Sequence, residues 1–140
     1  MKKKTNFLIY SFVIMSTFLI FASACKKEKQ PESTSKISEL IKTKVVSSIA
    51  IYTAKSGGNI NNDLKEKVIA RGICWSKKEN PTVSASGVNT TTDGTGKGDF
   101  DSILVGLSPN TTYYVRAYAK TASGIIYGNI ASFVTTKTSS

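Results

Sequence analysis

The chain has 140 residues, with 19 Lys or Arg against nine Asp or Glu, a formal charge of +10, two Cys and no His. That length allows one modest domain, and a chain with two Cys and no His has little to offer metal, cofactor or acid–base chemistry. Lys2, Lys3 and Lys4 open the chain, the other lysines are scattered, and Arg71 and Arg116 are its two arginines; no Arg-rich stripe alternates with aromatics, so nucleic acid is not an expected partner.

After the three lysines comes an apolar run from Phe7 to Phe21, then Ala22-Ser23-Ala24, then Cys25. A positive start, an apolar middle and a small-residue cleavage region follow the order of an export signal. The stretch resembles a bacterial lipoprotein signal. That resemblance implies removal of residues 1–24 and acylation of Cys25, palmitate included, because the thiol carries the diacylglycerol. It departs at Ala22, three residues before the Cys, where such signals usually place Leu. Two alternatives stay open: Ala22-x-Ala24 as an ordinary cleavage site that releases a soluble protein, and an uncleaved run long enough to span a bilayer. With Cys25 acylated the first partner is membrane lipid, since two or more chains anchor stably. The expected location is the cell envelope, on a bacterial membrane, with the outer membrane preferred and the periplasmic and surface faces both open.

Residues 25–36 (CKKEKQPESTSK) hold nothing that could be buried, and they read as a disordered tether. A flexible chain of that length reaches about 17–21 Å. Lys26, Lys27 and Lys29 are read as solvated.

The domain is expected over 37–140. Ile37 to Val46 reads as a first strand or strand pair, and Ser47 to Thr53 as a segment alternating Ile49 and Ile51 against Ala50 and Tyr52. Ser56-Gly57-Gly58-Asn59 carries a turn signal, and Ile60 to Lys67 a loop. Val68 to Ser76 is a strong strand with both faces at least half buried, and Trp75 reads as core. Cys74 has no intramolecular partner and reads as a small buried hydrophobe. Asn80-Pro81-Thr82 opens a long connection to a Gly-rich loop at Asp93–Gly98, expected to be flexible. Asp93, Asp99 and Asp101 do not follow calcium-loop grammar, because Thr95 and Lys97 stand where oxygen ligands are wanted, so no metal site is expected. Asp99 and Asp101 share a strand face without an aromatic cleft, which argues against glycoside hydrolysis. Phe100, Ser102 and Leu104 form the opposite, inward face, which also turns Ser102 of Asp101-Ser102-Ile103 away from solvent.

Leu107, Pro109, Thr111 and Tyr113 are spaced as L-x-P-x-T-x-Y and lead into a strand of strict alternation. Leu107, Pro109 and Tyr113 are expected to form a tyrosine corner, the ring in the core and the hydroxyl on nearby backbone. Tyr114, Arg116 and Tyr118 then point outward in a row, a possible binding surface for a protein or glycan; cross-strand packing is the other reading of that row. Thr121–Gly124 turns into a last strand, Ile125–Thr136, with Tyr127, Ala131 and Phe133 on one face and a bulge at Gly128.

Leu107 to Ala119, the turn at Ser123-Gly124 and the strand to Thr136 look like the C-terminal half of a fibronectin type III domain. Ala70 to Ser76 (ARGICWS), Asn80-Pro81-Thr82, Asp93 to Gly96, Gly106 to Ala119 and Gly124 to Asn129 more closely resemble a variant found in Bacteroidetes lipoproteins. The resemblance covers about Ser47 to Thr136. It implies an all-β, immunoglobulin-like antiparallel sandwich, no cofactor and no catalytic residues. Two functions fit: a non-catalytic binding or adhesion module, or a structural spacer or assembly partner of an envelope complex facing the periplasm. An enzyme is not expected.

Overall fold

The computed structural model describes residues 39–139. The leader, Cys25 and the tether lie outside the described residues, as do Ile37 and Ser38. Eight strands follow in order: β1 (Ile41–Thr43), β2 (Ala54–Ile60), β3 (Ala70–Ser76), β4 (Asn89–Thr90), β5 (Gly98–Leu104), β6 (Thr112–Thr121), β7 (Gly124–Tyr127) and β8 (Ala131–Val134). They form two sheets, β1-β2-β5 and β4-β3-β6-β7, with β8 also on β6. All pairings are antiparallel, so the fold is an all-β sandwich.

The alternating patterns of β5 and β6 bury one side of each strand, as a period of two requires. Phe100, Ser102 and Leu104 face inward from β5, and Tyr113, Val115, Ala117 and Ala119 from β6. All of these but Ser102 join Ile41, Ile60, Ile73, Trp75, Leu107 and Phe133 in one core between the sheets. Tyr113 stacks on Phe133 at 5.9 Å between centroids.

Four local expectations change. The first strand is shorter than 37–46: Ile41–Thr43 makes the ladder with β2, Lys44 N–H adds one bond to the Gly57 carbonyl, and Ser47 forms a separate bridge to Lys55. Residues 47–53 are not an alternating strand. Ser48 adopts φ 47°, Tyr52 is exposed, and the backbone is used at one end of the sandwich instead, where Leu107 N–H donates to the Tyr52 carbonyl and Thr136 N–H to that of Ala50. Ser56–Asn59 is no turn but the middle of β2. Its glycines serve close approach: a Cβ on Gly57 would lie 2.1 Å from the Phe100 carbonyl oxygen, and one on Gly58 2.7 Å from Ala117 Cβ of the opposite sheet. The Gly-rich loop at 93–98 is pinned rather than flexible. Arg71 Nε donates to the Asp93 carbonyl (3.3 Å), and its Nη1 donates to those of Gly96 (3.3 Å) and Lys97 (2.8 Å), while its guanidinium sits 5.2 Å from the Phe100 ring centre.

The Gly128 bulge has a larger effect than a bend. β7 pairs Tyr118 with Tyr127, whereas β8 pairs Tyr113 with Phe133. The register slips by one residue between them, and a one-residue slip exchanges the faces. Tyr127 and Phe133 therefore lie on opposite faces of the sheet, and the expectation that they share one is corrected.

At the bulge the two sheets are sutured. Thr43 Oγ1 accepts from Ala117 N–H (2.9 Å) and donates to the Asn129 carbonyl, and Thr43 N–H donates to Asn129 Oδ1 (2.9 Å). The hydroxyl thus stands where a direct β6–β8 ladder bond would have been.

Candidate functional site

Leu107 is buried, Pro109 half-buried, and Asn110 takes the left-handed backbone (φ 46°) that turns the chain into β6. Tyr113 is buried with its hydroxyl accepting from Ser108 N–H at 3.0 Å. This places the corner next to an open cleft of about 500 Å³ at the same end of the sandwich, which Lys77, Glu79, Asn89 and Ser108 help to line.

Tyr114, Arg116 and Tyr118 lie on the face of β6 that points away from the core, but not as an exposed row. Tyr118 is buried, with 7% of its surface exposed. Its hydroxyl donates to the Thr91 carbonyl at 2.6 Å, because the chain following β4 runs along β3 over the bare Gly72, where a Cβ would lie 2.1 Å from that same carbonyl oxygen. Tyr118 is therefore corrected from surface to packing. Tyr114 is half-buried, and its hydroxyl donates to Glu79 Oε1 at 3.3 Å.

Arg116 keeps a distinctive position. Its guanidinium carbon lies 4.4 Å from the centre of the Tyr127 ring, within the range of an attractive cation–π contact. Its Nε donates to the Gly128 carbonyl at 3.3 Å. Burial pulls the guanidinium below its ordinary value, against the opposing influence of Cys74 and Tyr127. The ion pairs among the described residues join Lys44 to Asp99 and Asp101, so Arg116 has no carboxylate partner there. Tyr127 is the member of this surface that the sequence reading missed. The bulge signal at Gly128 could have found it, had the parity change been carried through the strand.

Cys74 sits across β3–β6 from Arg116 and is fully buried. Its thiol points at the Pro81 and Arg116 carbonyls (3.5 and 3.6 Å), and burial pushes it up to about 11, with Arg116 opposing. A thiol held protonated is a poor nucleophile. With Cys25 replaced by Ser, so that Cys74 is the sole thiol, the native chain is expected to resist a thiol reagent at pH 8. It should label fully in denaturant. Rapid native labelling would mean that the covering segment around Pro81 opens.

Asp93, Asp99 and Asp101 are engaged by other side chains of the domain. Lys44 Nζ contacts Asp101 at 2.8 Å and Asp99 at 3.6 Å. Asp93 Oδ2 accepts from the hydroxyls of Thr91 and Ser102, and Ser102 is buried. Among the described residues no three His, Cys, Asp or Glu side chains are grouped to hold a metal ion.

The sheet order, with three strands facing a sheet of β4, β3, β6 and the interrupted last strand, defines the class: a fibronectin type III-like β-sandwich. No protein-family model matches the chain, and no curated protein does. Solved structures do match. A fibronectin type III domain from the human KIAA0970 protein aligns with TM-score 0.51 at 16% identity, over 84% of this chain and 90% of that one. The sensor domain of the anti-sigma factor RsgI4 of Pseudobacteroides cellulosolvens aligns with TM-score 0.52 at 16% identity, over 69% and 93%. The sixth fibronectin type III domain of human fibronectin type III domain containing protein 3 aligns with TM-score 0.50 at 22% identity, over 71% and 88%. At these identities the likeness is one of fold.

Proposed function

We propose that the chain is an envelope lipoprotein, held to a bacterial membrane, by preference the outer membrane, through acylated Cys25. It displays one non-catalytic fibronectin type III-like module that binds a protein or glycan. The observation that carries the binding reading is the Arg116–Tyr127 pair beside Tyr114: a charged group held in place on an outer sheet face without an internal counter-charge. The anchoring reading rests on the order of residues 2–25. The non-catalytic reading rests on the missing His, the protonated Cys74 and the engagement of Asp93, Asp99 and Asp101 by neighbouring side chains, which leave no evident nucleophile or base among them.

Protease shaving of intact cells, with a Cys25→Ala control, tests this. The expected result is cleavage of the domain in intact cells and loss of membrane attachment in the control. Protection until the outer membrane is opened would instead favour a periplasmic spacer or assembly partner. Unchanged attachment in the control would overturn the lipid anchor.

A further inference from the structure

Arg116 is fixed from two sides and open on the third. The Tyr127 ring backs its guanidinium at 4.4 Å, and Nε is committed to the Gly128 carbonyl. No described residue engages Nη1 or Nη2. A planar guanidinium already oriented, with its paired outer donors free, matches a carboxylate in a two-point contact and loses little freedom on binding. Glu79 is the nearby negative group; its carboxylate accepts from the Tyr114 hydroxyl and makes no ion pair with Arg116.

The surroundings select the kind of molecule that carries the carboxylate. Across the ladder from Tyr114 stands exposed Ser132. The Tyr127 hydroxyl accepts from Val83 N–H at 3.1 Å and keeps its own proton to donate. Protein interfaces concentrate their energy in Trp, Tyr and Arg anchors seated in dry, fully desolvated pockets. This face sets its arginine and half-buried tyrosines among the hydroxyls of Ser132 and Tyr127, with exposed Val134 at its edge, and that mixture suits the alternating C–H and O–H surface of a sugar. Resting on the reading of this face as a binding surface, we infer that Arg116 receives the carboxylate of an acidic saccharide, a uronic acid residue, with Tyr114 and Tyr127 as flanking contacts.

The test titrates the full chain in detergent with oligogalacturonate, with its neutral methyl ester and with poly-glutamate. Oligogalacturonate is expected to bind and the other two are not. Arg116→Lys keeps the charge and loses the fork, and it should weaken binding about tenfold or more, read at a temperature where the variant is fully folded because the Gly128 contact is lost as well. Arg116→Gln should abolish binding. Equal binding of the methyl ester, or binding that survives Arg116→Gln in a folded protein, overturns the assignment to Arg116 while leaving a binding surface in place. Preference for poly-glutamate overturns the saccharide in favour of an acidic peptide. Silence of all three probes overturns this inference alone, because anchoring and display are decided separately by shaving.

Discussion

Replacing Thr43 by Val is expected to lower the unfolding free energy by about 2–4 kcal/mol, because two backbone groups lose their partner at once. The Thr43 hydroxyl is both acceptor for Ala117 N–H and donor to the Asn129 carbonyl. Ala117 is fully buried, so no water is at hand to replace the lost bond. Val keeps the shape and the β-branch that suit a strand, which confines the change to hydrogen bonding. The effect should appear as a fall in Tm of very roughly 8–30 °C for a domain of this size, and as faster amide exchange at Ala117. Thr43→Ser should restore most of the stability. If Thr43→Val melts like the parent, the suture does not hold the two sheets together.

Gly57→Ala is expected to cost about 3 kcal/mol, near the upper end of ordinary overpacking penalties. The reason is what the new methyl meets. A side chain can rotate away, but the Phe100 carbonyl oxygen 2.1 Å from the built Cβ belongs to the β5 backbone, so the β2–β5 ladder itself must shift. Gly58→Ala meets the tip of the Phe100 ring and the Ala117 methyl, both at 2.7 Å. It should be the milder of the two wherever the ring can move. Urea unfolding of both variants reads the order directly. A Gly57→Ala protein as stable as its parent would show that the strands have room to separate.

The carboxyl-terminal half was legible because its signals are local. Strict alternation from Tyr113 to Ala119, and the Leu107-x-Pro109 turn before it, can each be read from neighbours in sequence. Ser102 was placed inward by the same rule, and it is buried. Gly57-Gly58 reads as a turn on composition, since glycine is the usual breaker. Glycine also occupies strands wherever another backbone or sheet comes too near for a side chain, and that neighbour, Phe100, is more than 40 residues away. Tyr118 failed for a related reason. Alternation gives the face of a strand but not what covers that face, and Thr91 covers this one from 27 residues away.

The sequence by itself determined the sandwich class, the inward residues of β5 and β6, and the burial of Trp75 and Cys74, because period, turn chemistry and hydrophobicity act over a few residues. It also supplied the reading of residues 1–36, which lies outside the described structure apart from any fold argument. Only the tertiary structure decided that Tyr118 is packing and Tyr127 is surface, that Arg71 pins the 93–98 loop, and that Thr43 closes the gap opened at Gly128. Each of these depends on a register slip or on a contact between segments far apart in the chain. Hydrogen-bond satisfaction across such distances is a property of the whole sandwich, and no local pattern encodes it.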